Sequence, residues 1–190
     1  MAYYTAEPLE NPASSTKMRL ALYQPDIPPN TGTILRLAAC MAVPVDIIEP
    51  CGFPFSDKGV RRAGMDYLGY VEMVRHLSWD DFLETRRMAG PAAFGRIVLL
   101  TTHAETVYTD FAFRSDDILL LGRESSGVPE DVHRVADACV KVPMASCVRS
   151  LSVAVAAAMV LGEAMRQTGL MGIAADDNAN GSQRLRSAGE

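Results

Sequence analysis

Leu121-Gly122-Arg123-Glu124-Ser125-Ser126-Gly127-Val128-Pro129 joins the apolar run 118–121 to a short helical pattern at 129–135. A short, near-continuous apolar run marks a strand buried on both faces of a parallel sheet. The stretch after it couples turn residues with an arginine and a glutamate, and Pro129 suits the first turn of the helix that follows. Two other segments share this design. Pro28-Pro29-Asn30-Thr31-Gly32 follows the run 19–23 and leads through a helical pattern to Arg36. Arg149-Ser150-Leu151-Ser152-Val153-Ala154-Val155-Ala156 follows the run 139–142 and opens the last helix. In an open α/β sheet, ligands bind outside the carboxyl ends of the strands. Three polar strand-end loops in one small domain therefore point to one composite site.

Outward from these loops, strands and helices alternate. Residues 19–23, 45–49, 70–74, 97–101, 118–121 and 139–142 read as strands. Residues 31–41, 78–87, 129–135 and 151–167 read as helices, with a helical turn at 57–63. Asn30 and Ser78 are placed to cap their helices, and Asp80, Asp81 and Glu84 lie where the helix dipole favours acids. Gly169 stops the last helix. Helices between successive strands specify an α/β fold with a mainly parallel sheet. The last helix carries Val153, Val155, Ala156, Ala157, Ala158, Met159, Val160 and Leu161 with almost no polar face. A helix apolar all round must be buried on all sides. In a domain this small, a subunit interface is the natural way to bury it; a central helix covered by its own chain is the alternative.

The 190 residues fit one domain. Residues 1–16 and 171–190 have the composition of disordered tails, leaving a single domain at 17–170. Apolar residues make up 48% of the chain, enough for an ordinary core. The net charge of −5 argues against non-specific coating of DNA or RNA, which needs a strongly basic surface. Only Lys17, Lys58 and Lys141 are lysines among the 18 basic residues. Arginine suits bidentate phosphate contacts, although an arginine-rich coding bias explains the same count.

No apolar run reaches membrane-span length. The N-terminus lacks the basic start and apolar stretch of a secretion signal, so no membrane association is expected. Cys40, Cys51, Cys139 and Cys147 stand alone without metal or redox spacing. Four free thiols fit the reducing cytoplasm. Cys40 and Cys139 sit in apolar runs and read as core residues. His76 and His133 read as solvated surface groups, and His103, just past a strand end, as a candidate to border the site. No metal site is expected. The Gly-x-Gly-x-x-Gly dinucleotide fingerprint, the phosphate-binding Walker sequence and the Gly-x-Ser-x-Gly nucleophile elbow are all missing.

Taken together, the three loops resemble the knotted SPOUT family of S-adenosylmethionine-dependent RNA methyltransferases, over about residues 19–167. The resemblance is strongest to the subgroup that methylates the ribose 2′-hydroxyl of the tRNA wobble nucleotide. Leu22-Tyr23-Gln24-Pro25-Asp26-Ile27-Pro28-Pro29-Asn30-Thr31-Gly32, Ile47-Ile48-Glu49-Pro50 and Arg61-Arg62-Ala63-Gly64-Met65-Asp66-Tyr67 carry it. The resemblance implies a C-terminal trefoil knot, helices on both faces of the sheet and a homodimer packed through the knot and last helix. It implies S-adenosyl-L-methionine among Leu100, Thr101, Gly122, Glu124, Val142, Ser150 and Leu151. It implies catalytic roles for Arg36 and Asn30 at a tRNA anticodon loop, with Lys58, Arg61, Arg62 and Arg149 as candidates for the RNA backbone. At Gly122 a glycine would let the backbone approach a ligand. One departure stands out: Ser152 occupies a position where the family usually carries asparagine. A sister enzyme acting on ribosomal RNA, a non-catalytic RNA- or nucleotide-binding module, and an unrelated doubly wound enzyme are the alternatives.

Overall fold

The computed structural model describes residues 18–55, 69–90 and 95–171. Lys58, Arg61 and Arg62, the rest of 61–67, the expected turn at 57–63 and nearly all of both tails lie outside the described residues.

The described chain runs β1 (Arg19–Tyr23), α1 (Pro28–Cys40), β2 (Val45–Ile48), β3 (Met73–His76), α2 (Trp79–Ala89), β4 (Ile97–Leu100), β5 (Ile118–Leu121), α3 (Glu130–Val135), β6 (Ala138–Val140) and α4 (Val153–Thr168). The strands form one six-stranded sheet in the order β3-β2-β1-β5-β4-β6. Every pairing is parallel, with Leu22 opposite Ile47 on one side and Leu121 on the other. The α/β class and the mainly parallel sheet stand as the sequence implied.

Two cores sandwich the sheet. Leu20, Leu22, Val45, Ile47, Val98, Leu119 and Leu121 face Ile34, Leu35 and Ala38 of α1 and Ala157, Val160, Leu161 and Ala164 of α4. Ala21, Tyr23, Ile97, Leu99, Ile118 and Leu120 face Trp79 and Phe82 of α2 and Val132 of α3. The strict alternation along each strand sends successive side chains to opposite faces. Fully burying each Leu or Ile stabilises the fold by roughly 1.5–3 kcal/mol.

Several boundaries differ from the sequence reading. Helix α1 starts at Pro28, not at 31, and its N-cap is Ile27, which makes no side-chain cap hydrogen bond. Pro28 and Pro29 preset the helical φ, so Asn30 falls inside the first turn and does not cap it. Strand β3 is displaced to Met73–His76, where it pairs with β2 in register from Val45 to Ile48. Ser78 does cap α2, accepting from the Asp81 N–H at 3.1 Å. Gly169, at φ 74°, closes α4 in the left-handed conformation.

His76 is not a surface group. It is buried, and its Nε2 meets Asp46 Oδ1 at 2.9 Å. The Asp46 carboxylate also accepts from Arg19 Nε at 2.8 Å. This network spans β1, β2 and β3 and satisfies a buried carboxylate, as a folded interior requires. Cys40, expected in the core, is exposed at the end of α1.

Helix α4 is not covered on all sides. Ala154, Ala157, Val160, Leu161, Ala164 and Met165 are buried against the sheet and α1. Leu151, Val155 and Met159 leave 39%, 48% and 39% of their surface exposed. Val155 and Met159, four residues apart, lie on the outward side of the helix, and Leu151 adds apolar surface in the loop just before it.

Candidate functional site

The carboxyl ends of β4, β5 and β6 open into one cavity of about 840 Å³. Leu100 at the end of β4 and Thr101 after it, Gly122 and Glu124 after β5, Val142 after β6, and Ser150 and Leu151 before α4 all line it, and Asn30 of α1 borders it. The sheet explains this convergence. The pairings of β5 with β4 and of β4 with β6 place three strand ends side by side, and α4 returns across the sheet beside α1. His103 and His133 also line the cavity, so His133, expected on the surface, joins His103 at the site.

The loop after β5 is a tight turn. Arg123 N–H donates to Gly127 O at 3.0 Å and Gly127 N–H donates back to Arg123 O at 2.9 Å. Gly127 adopts φ 67° to close it. A Cβ on Gly122 would stand 2.7 Å from the Gly127 carbonyl carbon and 2.9 Å from its Cα. Glycine at 122 is therefore required by the turn folding onto itself; the sequence reading credited that requirement to a ligand.

This loop is fastened to the start of α1. Glu124 N–H donates to Asp26 Oδ1 at 3.1 Å and Ser125 N–H donates to Asp26 Oδ2 at 3.3 Å. The Ser125 hydroxyl also donates to Asp26, and Asp26 N–H donates to Glu124 Oε2 at 3.2 Å. Arg123 Nη2 donates to the side-chain oxygen of Gln24, whose amide reaches Glu49 O at 3.4 Å. The hydrogen bond between the two carboxyl groups and those from Ser125 hold Asp26 down at about 2. Burial and the same Asp26 contact push Glu124 above the usual carboxylate range, with Asn30 working weakly in the opposite direction. Glu124 Oε1 is buried and makes no hydrogen bond.

Asp26 was not singled out from the sequence. It lies in the same strand-end segment as Asn30, which was the available signal. Its partners are 98 and 99 residues away, and only the pairing of β1 with β5 brings them together.

The remaining candidates are spread more widely. Asn30 Oδ1 accepts from the Ser152 hydroxyl at 3.1 Å, tying α1 to the final loop. Arg36 is exposed on α1 and does not line the cavity, and Arg149 is exposed in the loop before α4. Among the described residues, no group of three His, Cys, Asp or Glu side chains is placed to hold a metal ion. No helix among them is long and apolar enough to cross a membrane.

Known proteins resemble this chain in sequence and fold. The model of the SpoU rRNA Methylase family matches residues 17–162. A tRNA (cytidine(34)-2′-O)-methyltransferase from Beijerinckia indica subsp. indica is 60% identical over 156 residues, covering 80% of this chain and 92% of that relative. A solved structure described as "Structural insights into the 2-OH methylation of C/U34 on tRNA" superposes with a TM-score of 0.72 at 37% identity, covering 81% of this chain and 97% of that one. The SpoU methyltransferase AviRb from Streptomyces viridochromogenes, solved in complex with the cofactor AdoMet, superposes with a TM-score of 0.70 at 29% identity, covering 82% of this chain and 62% of that one.

Proposed function

This chain belongs to the SpoU rRNA methylase family, and we propose that it transfers the methyl group of S-adenosylmethionine to the ribose 2′-hydroxyl of nucleotide 34, the wobble position, in tRNA. The observation that carries this reading is near-full-length likeness to proteins described by that nucleotide, at 92% and 97% of their lengths. Ribosomal RNA is the rival substrate, favoured by the family's own description. This chain, however, spans only 57% of an rRNA methyltransferase from Sinorhizobium meliloti.

The cavity suits the donor. Its volume lies within the roughly 300–1,000 Å³ of small-molecule sites. Leu100, Val142 and Leu151 offer apolar walls for an adenine ring beside strand-end backbone groups. Glu124 Oε1 is a buried acceptor waiting for a donor. When bound, the group supplies a methyl already activated by a sulfonium charge. Thr101, Gly122, Glu124 and Ser150 would hold and orient it.

What remains for the protein is to place the hydroxyl and manage its proton. A 2′-hydroxyl is weakly acidic, so negative charge develops on its oxygen as its proton leaves to water, and that charge is consumed as the new O–C bond forms. Arg36 stays protonated, so its role here is electrostatic: it holds a neighbouring phosphate and stabilises the developing alkoxide. Asn30, at the mouth of the cavity, positions the loop and the target nucleotide, with Ser152 holding its amide oxygen. Arg149, Lys58, Arg61 and Arg62 are assigned to the RNA backbone. Fixing the reactants in one geometry supplies much of the remaining rate enhancement.

The functional unit of this proposal is a homodimer. The exposed apolar surface of Leu151, Val155 and Met159 reaches the cavity, since Leu151 also lines it. A second subunit packed there lets one protomer hold RNA while the other presents the donor. A trefoil knot in the chain leading from β6 into α4 belongs to the same reading. So does recognition of the anticodon loop, whose unstacked bases are accessible to a protein, and action in the cytoplasm. Incubation with labelled S-adenosylmethionine and total cellular RNA tests it. Label at the wobble ribose of tRNA supports it, and label confined to ribosomal RNA overturns the substrate.

A further inference from the structure

We propose that Asp26 is a positioning residue for the methyl-donor site, acting through Glu124 to hold the loop after β5 in its binding shape. The proposal rests on the reading of the cavity as that site.

Its first support is geometric. Asp26 takes hydrogen bonds from the Glu124 N–H, the Ser125 N–H and the Ser125 hydroxyl, and returns one from its own N–H to Glu124 Oε2. An aspartate collecting that many donors from one turn fixes its conformation. Asp26 is itself immobilised from behind. Gly52 N–H donates to Pro25 O at 2.9 Å, and a Cβ on Gly52 would fall 2.7 Å from Asp26 Cβ. The loops after β1, β2 and β5 are thus stacked in contact, with Asp26 in the middle.

The second support is Glu124. Its Oε2 is engaged by Asp26, which leaves Oε1 buried, on a cavity-lining residue and without a hydrogen bond. A buried acceptor with no donor is costly, so a ligand hydroxyl or ammonium that reaches it is favoured. Asp26 and Glu124 lie side by side, and burial beside Asp26 holds the Glu124 carboxyl above the usual carboxylate range, so the pair keeps a proton that an isolated carboxylate would lose. Loss of that proton places two negative charges side by side and loosens the loop. The other titratable or charged groups lining the cavity are Arg123, His103, Glu130 and His133. Glu49, next to the loop after β2, is engaged by Arg75.

Calorimetric titration with S-adenosylhomocysteine, from about pH 4.5 upward to about pH 8.5, tests the proposal. Asp26→Asn and Asp26→Ala should weaken binding by about tenfold or more, and Ser125→Ala by about threefold. Wild-type affinity should fall as pH rises. Glu124→Gln should give a flatter pH profile than the wild type, whatever its absolute affinity, because an amide donates to Asp26 at every pH. That variant keeps both histidines, so the difference between profiles isolates Glu124. Circular dichroism establishes which variants are folded. If the Asp26 variants are not, Ser125→Ala and the Glu124→Gln profile decide the matter. Binding within twofold of wild type in folded Asp26 variants, or identical pH profiles for wild type and Glu124→Gln, overturns the proposal. Failure of the folded wild type to bind at all overturns instead the assignment of the cavity.

Discussion

The Ser152 hydroxyl donates to Asn30 Oδ1 across 3.1 Å, joining the loop before α4 to the first turn of α1 over 122 residues of sequence. Serine here reaches a partner that fixes the orientation of the Asn30 amide. The bond lies at an exposed site, so its net value is about 1 kcal/mol or less. Ser152→Ala and Asn30→Ala should each destabilise slightly. A double-mutant cycle by urea denaturation should return a coupling of about 0.5–1 kcal/mol. Strict additivity would show that the contact contributes nothing in solution.

Gly122→Ala should cost about 1–3 kcal/mol, because the new Cβ meets the Gly127 backbone, which cannot swing away. Gly127→Ala meets no atom within 4 Å but must hold φ 67°, at a cost of about 1–2 kcal/mol. Cofactor binding should suffer more from the first, since Gly122 lines the cavity. Equal effects on binding in calorimetry would contradict this ordering.

Helix α4 separates folding from association. Ala157 faces the sheet and is fully buried, so Ala157→Glu should unfold the chain and report nothing about a dimer. Val155 lies on the outward side, so Val155→Glu should leave a folded monomer, because an unpaired charge buried in an interface costs several kcal/mol. Sedimentation velocity distinguishes the outcomes. A wild type that is already monomeric at micromolar concentration would remove the interface from the proposal.

Arg36→Ala should leave S-adenosylhomocysteine affinity within about threefold, since Arg36 does not line the cavity, yet lower turnover by about a hundredfold or more. Near-normal methyl transfer by this variant would return Arg36 to the surface charges.

Asp46 sets an acid limit on stability. Burial alone would raise its pKa, but the hydrogen bonds and charges of His76 and Arg19 outweigh that and hold it below the usual range. A depressed carboxylate contributes stability above its unfolded pKa, near 4, and loses that contribution as pH falls through the folded value. Asp46→Asn should therefore cost about 3 kcal/mol at neutral pH and flatten the acid limb of the stability curve. Parallel acid limbs for wild type and variant would contradict this.

The strands and the α/β class were legible because β1, β4 and β5 are apolar runs too short for helices, separated by helical patterns. The Ser78 cap and the Gly169 stop were legible because local chemistry alone decides them. Other features depend on what lies opposite. Strand β3 carries a weak pattern, and its pairing with β2 places it. His76 is buried because Asp46 lies within its reach on the neighbouring strand. Asp26 meets Glu124 and Ser125 only because β1 and β5 are neighbours in the sheet. The seven expected donor-site residues lie together because their loops share one end of the sheet. Arg36 is exposed on α1 and does not line the cavity.

The substrate assignment is open to one direct comparison. A tRNA transcript is offered with S-adenosylmethionine beside the same transcript carrying a 2′-deoxy nucleotide at position 34 alone, and products are mapped by nuclease digestion and mass spectrometry. Methylation at the ribose of nucleotide 34 in the first and none in the second is the predicted result. Equal methylation of both, or a methyl group on a base, would contradict it.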